Sequence, residues 1–248
     1  MFPLVHFFIN KTIEQRTTPL LTLGGMWPDL SFYCNMDRNI SHYMGEKFLD
    51  FCMREYPEAI DFALGILYHG STPAGADYYA DEYWHGGEKG WCFQVGRKYM
   101  PEVAKVTKLA DDFIWWKSHN FVEMALELVT IEKYPQMNQE ILTISDDWDA
   151  QELAVEVLRQ YFPIDKSKAI DIFHNIATTF TLKEVSVLSL AENNMLGMKR
   201  RFGIDGLDIN AIMALINRIY EDIKDEYDSL MAEIMRQMQV NKTLSDKQ

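Results

Sequence analysis

The chain has 248 residues, a net charge of −13 and 48% hydrophobic residues, a composition that is typical of a folded globular protein. The acidic balance argues against a protein that binds nucleic-acid polymers, and no apolar run approaches the roughly 20 residues of a membrane-spanning helix. Cys34, Cys52 and Cys92 are odd in number and scattered, so they predict neither a zinc ribbon nor a disulfide framework.

The N-terminal segment 2–9 is apolar but short, and it contains His6. It has no preceding basic region and no small-residue cleavage site after it, so it does not match a secretory signal. We therefore expect a cytoplasmic protein, and the reduced cysteines agree with that expectation.

The first half of the chain has the apolar spacing of helices. One predicted helix begins near Pro57 and ends near His69, and a second, long and strongly apolar, covers 113–131. Alternating apolar and polar runs bounded by turn residues, which would predict strands, are not convincing anywhere. The pattern predicts an all-α, multi-helix bundle.

Capping signals divide the second half of the chain into further predicted helices. The first signal, at 145–147, starts a helix that runs to Phe162, and Asp165 starts the next helix. A capping box at 181–184 starts a third, and Asp208 starts the last. Gly203 and Gly206 interrupt the chain before Asp208, and the apolar spacing then extends as one long helix to Met238.

A compositional change near residues 133–146 separates two regions. Of the six histidines, only His174 follows this change. We predict a metal-binding helical region over 1–135 and a C-terminal helical region over 136–248, which either forms a second lobe or belongs to the same domain. The C-terminal helices offer a surface for a homo-oligomer.

Histidine and carboxylate residues recur at ligand spacing in region 1–135. His119 and Glu123 are four residues apart on a strongly predicted helix, so both side chains share one face and can hold one ion. Asp81 and His85 have the same spacing. Nitrogen and carboxylate ligands without cysteine suit zinc, iron, manganese or nickel, and their position on helices predicts a metal site in the bundle core.

Other candidate ligands lie at predicted element ends. Pro28 disfavours a helical conformation at Trp27 and places Asp29 at a boundary, and His69 ends an apolar helix. Taken singly, each histidine is more often a surface or hydrogen-bonded core residue than a ligand. His174, which follows the compositional change, is the clearest non-ligand.

The order of these motifs resembles that of the zinc-dependent phospholipase C/P1-nuclease-like superfamily, and in particular its bacterial members that lack a signal sequence. The resemblance covers about 1–135 and rests on His6, Gly25-x-x-Pro28-Asp29, His42, His69, Asp81-x-x-x-His85 and His119-x-x-x-Glu123. It implies a mostly helical bundle that hydrolyses a phosphoester with two or three divalent metal ions. Zinc is the first candidate, and iron, manganese or nickel are alternatives.

The resemblance also implies two ligand sets. They are Asp29, His42 and His69 for one metal, and His85, His119 and Glu123 for a second. An aspartate between His69 and His85 would bridge the metals, but the family spacing places Pro73 there, because the loop after His69 is longer. Alignment back from His85 selects Asp81, and Asp77 is the rival. Either aspartate would orient the attacking water or take its proton.

In secreted members of the superfamily, a third site uses a histidine equivalent to His6 and the amino group of a terminal tryptophan. This chain begins with Met1, so His6 could instead complete a two-metal site or be structural. The implied ligand is a phosphoester small molecule or a lipid headgroup. The alternative is a non-catalytic helical binding or regulatory protein that retains a structural metal. The basic cluster 199–201 is typical of a solvated face, with a phosphate contact as the weaker alternative.

Overall fold

The computed structural model describes residues 3–245, with side chains through Gln239, and it is 77% helical. No strand occurs within 3–245, so the predicted all-α class is confirmed. The helices are α1 (Pro3–Glu14), α2 (Pro19–Leu30), α3 (Arg38–Ser41), α4 (Gly45–Glu55), α5 (Ile60–His69), α6 (Trp91–Gly96), α7 (Met100–Thr107), α8 (Asp111–Lys133), α9 (Met137–Ser145), α10 (Trp148–Tyr161), α11 (Lys166–His174), α12 (Ile176–Thr179), α13 (Val187–Phe202), α14 (Ile209–Ile223) and α15 (Tyr227–Ser245).

Three of the predicted helix starts are confirmed by their capping hydrogen bonds. The side chains of Asp147, Asp165 and Asp208 accept from backbone N–H groups in the first turns of α10, α11 and α14. Such bonds satisfy donors that have no partner within the helix, and each typically stabilises a helix by about 1 kcal/mol.

The capping box predicted at 181–184 is wrong. Thr181 has a left-handed backbone with φ 57°, so the chain turns there instead of starting a helix. The helix begins five residues later, after Ser186. The Oγ of Ser186 accepts from the N–H of Ser189, while the Oγ of Ser189 accepts from the N–H of Ser186. A serine pair therefore provides the reciprocal cap that we assigned to threonine and glutamate.

Two further boundaries differ from the prediction. The single helix expected from Asp208 to Met238 is two helices, since the chain turns at 224–226 between α14 and α15. Pro28 lies inside α2 instead of preventing helix, and Trp27 before it is helical and fully buried. Asp29 still lies one residue from the end of α2, as the boundary prediction requires.

Helices α2 and α5 pack with their backbones in direct contact at glycines. A Cβ atom at Gly24 would lie 2.0 Å from the carbonyl oxygen of Phe62, and one at Gly65 would lie 2.4 Å from that of Leu21. Only glycine permits this approach. Because α2 carries Asp29 and α5 ends at His69, this crossing determines how close two candidate ligands come.

Two hydrophobic cores each combine residues from both halves of the chain. One core joins Phe121 of α8 to Ile216 of α14, and the other joins Phe62 of α5 to Val155 of α10 and Phe173 of α11. Burying such side chains is the main favourable term in folding. The halves therefore pack together, and the boundary at residue 135 stays a prediction.

The apolar residues of the last two helices face the interior. Ile219 of α14 and Leu230 and Ile234 of α15 are buried in the core around α8. The prediction that the C-terminal helices form a homo-oligomer stays untested. Within the described part of the chain, no helix is long and apolar enough to cross a bilayer.

Candidate metal centre

The structure brings eight of the nine predicted ligands together. They form three groups, within each of which the ligand atoms lie no more than 4.8 Å apart. The groups are His6, Asp29 and His69; His42, His69 and Asp77; and Asp81, His119 and Glu123. Because His69 belongs to two groups, the first two are continuous. The ninth residue, His85, lies outside all three.

Four α-helices and two connecting segments supply these side chains. The positions are His6 in α1, Asp29 near the end of α2, His42 directly after α3, His69 at the end of α5, Asp77 and Asp81 between α5 and α6, and His119 and Glu123 in the middle of α8. Most of these residues are at least nine-tenths buried, and Asp29 is the most exposed, with about a third of its side chain accessible.

Asp77 lies at the centre of the first two groups. Its Oδ2 is 3.2 Å from Nε2 of His42 and 3.5 Å from Nε2 of His69, and its Oδ1 is 3.4 Å from Nε2 of His6. A tetrahedral ion with bonds of about 2.1 Å holds its ligand atoms about 3.4 Å apart. The observed separations match that spacing, so the residues fit a divalent cation.

The histidines are oriented so that Nε2 faces this aspartate. Nδ1 of His69 lies 2.7 Å from the carbonyl oxygen of Gly25, and Nδ1 of His42 lies 3.2 Å from that of Arg38. Backbone carbonyls commonly fix metal-binding histidines in this way. The Nε2 atoms of His6, His42 and His69 are buried, and apart from their ion-pair contacts with the carboxylates they form no well-aligned hydrogen bond among residues 3–245. Buried polar atoms without partners are rare in native proteins, and a cation would provide the missing interaction.

The pKa values of His6 and Asp77 favour the protonation states that metal ligands need. Burial and the neighbouring His69 lower the pKa of His6 to about 4, so this imidazole is neutral at pH 7. Burial opposes ionisation of Asp77, but His69, His42 and His6 hold its pKa well below the ordinary value. An ionised Asp77 beside a neutral His6 suits a cation. At His42, burial is outweighed by hydrogen bonds to Asp29 and Asp77, which raise its pKa, so a cation bound there would displace a proton.

The third group lies on α8 and the segment before α6. Asp81 belongs to a short π-helix, Tyr78–Glu82, an irregularity that is common at functional sites. Nδ2 of Asn120 donates to Nε2 of His119 at 3.0 Å and to Oε2 of Glu123 at 2.9 Å. Burial, with Asp77 and Glu123 nearby, raises the pKa of Asp81 well above its ordinary value. This group therefore holds acidic side chains whose repulsion a cation would relieve.

Arg38 connects the second group to the third. Its Nη2 is 2.6 Å from Oδ2 of Asp81 and 3.2 Å from Oδ2 of Asp77. The sequence analysis missed Arg38, although its position four residues before His42 was an available signal. Asp77 contacts three histidines, whereas Asp81 contacts the third group. The two candidate bridging aspartates thus occupy different positions joined by one guanidinium.

His85 is not on a common helical face with Asp81, so that expectation is wrong. The π-helix ends at Glu82, Tyr83 is extended, and His85 has a left-handed backbone with φ 43°. Spacing of four residues places side chains together only while the helix continues. The imidazole of His85 packs against Trp84 instead, at 4.4 Å between ring centroids, and lines a separate small cleft.

Glu127 is a second residue that the sequence analysis missed. Its carboxylate accepts from the N–H groups of Leu4 and Val5, at 3.2 Å and 3.0 Å, and so fastens the start of α1 to α8. Glu127 repeats the four-residue spacing of His119 and Glu123, which was the available signal. By fixing α1, it also fixes the position of His6.

A cavity of about 380 Å³ opens beside the three groups. Ligands from each group line it, together with residues of α12 and α13 from the second half of the chain. This volume is within the range of small-molecule sites. His174 lies elsewhere and stacks on Trp148, at 4.5 Å between ring centroids.

Comparisons with known proteins add no identification. No family model matches the chain, and neither the curated proteins nor the solved structures contain a match.

Proposed function

We propose that the protein is a metal-dependent hydrolase of phosphoesters that uses two or three divalent ions, with zinc as the first candidate. The observation that carries the proposal is the position of Asp77. Its carboxylate lies 3.2–3.5 Å from Nε2 of three buried histidines, at the wall of a cavity large enough for a small molecule. The resemblance to zinc-dependent phospholipases C supports the same reaction class.

When bound, divalent ions supply Lewis acidity, which lowers the pKa of water and offsets charge on a phosphoryl group. The protein's own residues would bind the ions, orient the water and contact the substrate. The three ligand groups would hold the ions, and the carbonyl of Gly25 orients the ring of His69. Asp77 and Asp81 are the candidate groups for orienting the attacking water or taking its proton. Arg38, beside both aspartates, is placed to contact a phosphoryl oxygen.

The cavity favours a catalytic site over the alternative of a structural metal in a binding protein. Structural metal sites are closed by their protein ligands, whereas catalytic sites keep an open position. Here Asp29, Asp77, Asp81 and Glu123 all reach the cavity. A substrate entering the cavity would therefore meet the ligand groups directly.

Replacing either ligand on α8 tests the proposal. We expect His119→Ala and Glu123→Ala to lower the metal content by about one equivalent and to reduce phosphodiesterase activity strongly, because each removes a ligand from the third group. Metal content is measured by elemental analysis, and activity with bis(p-nitrophenyl) phosphate. His174→Ala is the matched control, since His174 stacks on Trp148 away from the groups. Equal metal content in all three variants and the wild type would contradict the assignment.

A further inference from the structure

Two cationic side chains line the same cavity as the ligand groups. Lys117 of α8 and Arg201 of α13 both line it, and neither side chain forms a hydrogen bond or an ion pair with any residue in 3–239. The chain as a whole carries a charge of −13, and four carboxylates also line this cavity. Two unpaired cations facing one cavity in such a protein form a local site for an anion.

Arg201 is held in place without using its hydrogen-bond donors. The guanidinium carbon lies 4.3 Å from the ring centroid of Phe32 and 6.0 Å from that of Trp116. Stacking on aromatic faces orients a guanidinium and leaves its edge free for a carboxylate or phosphate. Lys199, two residues earlier, instead pairs with Asp205 at 2.6 Å. The cluster 199–201 is therefore not uniform, because only Arg201 reaches the cavity.

Asn194 adds a polar group to the lining of the same cavity. It is more than nine-tenths buried, and its Oδ1 has no hydrogen-bond partner among the described residues. Turning the amide by 180° exchanges its oxygen and nitrogen, so the side chain can present a donor to a ligand. Asn193, Asn194, Gly197 and Arg201 recur at helical spacing, which places one face of α13 along the cavity.

The cation site is separated from the ligand groups by a distance that a small molecule can span. On α8, Lys117 precedes His119 by two residues and Glu123 by six, which is about 3 Å and about 9 Å along the helix axis. A ligand with one phosphate at the metal groups can therefore place a second charged group near Lys117.

We propose that the cavity binds a phosphoester with a second anionic group, phosphate or carboxylate, which Lys117 and Arg201 hold while the phosphoester faces the ligand groups. This inference rests on the proposed function and narrows its substrate class. It disfavours a phosphoester with a cationic headgroup, because such a headgroup would face two unpaired cations.

The test is a calorimetric titration of zinc-loaded protein with four phosphomonoesters of similar size. We expect glycol bisphosphate or phosphoglycolate to bind at least tenfold more tightly than ethyl phosphate, and phosphoethanolamine to bind most weakly. If glycol bisphosphate binds more tightly than phosphoglycolate, the preferred second anion is phosphate; in the reverse case it is carboxylate. Equal affinities for all four, or strongest binding of phosphoethanolamine, would overturn the inference.

Single substitutions test whether Lys117 and Arg201 cause the preference for a second anion. Lys117→Met and Arg201→Met should each remove most of the preference for the second anion while zinc content stays unchanged. Arg200→Met and Lys105→Met are matched controls on the same or a neighbouring helix, and both residues are exposed. A Cβ atom at Gly197 would have no other atom within 4 Å, so Gly197→Leu should fold and fill the cavity. A preference that survives in Lys117→Met and Arg201→Met would contradict the assignment of these residues.

The failure of this inference can be told apart from failure of the proposed function. Protein that retains no metal contradicts the proposed function. Titration of inorganic sulfate into metal-free protein still tests the cation site, because sulfate binding should weaken in Lys117→Met and Arg201→Met and stay unchanged in Arg200→Met. Sulfate binding that is identical in all these variants overturns the inference whatever the metal content.

Discussion

Asp77→Asn is expected to remove at least one equivalent of bound metal and to lower phosphodiesterase activity by at least about 100-fold. Loss of a residue that merely orients a ligand typically costs 10- to 100-fold in metal affinity, and Asp77 is placed as a direct ligand. Its carboxylate is near Nε2 of His6, His42 and His69, so one substitution affects two of the three groups. The measurements are elemental analysis and steady-state hydrolysis of bis(p-nitrophenyl) phosphate.

The matched control is Asp61→Asn. Asp61 is also an ion-paired aspartate, but it is only partly buried, lies in the first turn of α5 and pairs with Arg16 at 2.6 Å. This control should keep its metal and activity. If Asp77→Asn keeps the wild-type metal content, Asp77 is not a ligand and the proposed arrangement of the centre fails.

Gly65→Ala is expected to destabilise the fold by about 3 kcal/mol, at the upper end of the usual cost of overpacking. The new Cβ would lie 2.4 Å from the carbonyl oxygen of Leu21 and 2.6 Å from the backbone nitrogen of Gly25. These are backbone atoms, so α2 and α5 would have to separate. In a chain of this size, thermal unfolding should occur about 6–12 °C lower. Metal content should also fall, because the Gly25 carbonyl orients His69.

Gly197→Ala is the control for Gly65→Ala, since it makes the same chemical change on another helix. No other atom lies within 4 Å of the added Cβ, so only the better helix propensity of alanine remains. That difference is about 1 kcal/mol in favour of alanine. The melting temperature should therefore rise slightly. A similar decrease in both variants would show that the close contact between α2 and α5 is not the cause.

The sequence predicted the helical class and several boundaries because those depend on local chemistry. Aspartate caps at Asp147, Asp165 and Asp208 act within one turn, and the apolar spacing of α8 is regular. The errors arose where tertiary structure or backbone conformation overrides local preference. Thr181 turns through a left-handed conformation, and 224–226 interrupts an otherwise continuous apolar pattern.

The same distinction applies to the candidate site. His119 and Glu123 could be paired from spacing alone, because α8 is continuous through both. The position of His85 could not be predicted from spacing, because the π-helix ends at Glu82. Tyr83 is extended and His85 is left-handed, so the helical spacing from Asp81 is lost. The four-residue spacing marks Arg38 and Glu127 as candidates, but the residues they contact are more than 38 positions away, so the sequence does not show those contacts. The two cations that line the cavity, Lys117 of α8 and Arg201 of α13, likewise come together only when the two halves of the chain pack.

Elemental analysis of tag-free protein, purified without a chelator, tests the central claim most directly. A polyhistidine tag is avoided because it would bind metal itself. The arrangement of three ligand groups predicts two or more equivalents of zinc, iron, manganese or nickel per chain. Less than about half an equivalent, not restored by adding these metals, would contradict the metal centre and with it the proposed hydrolase.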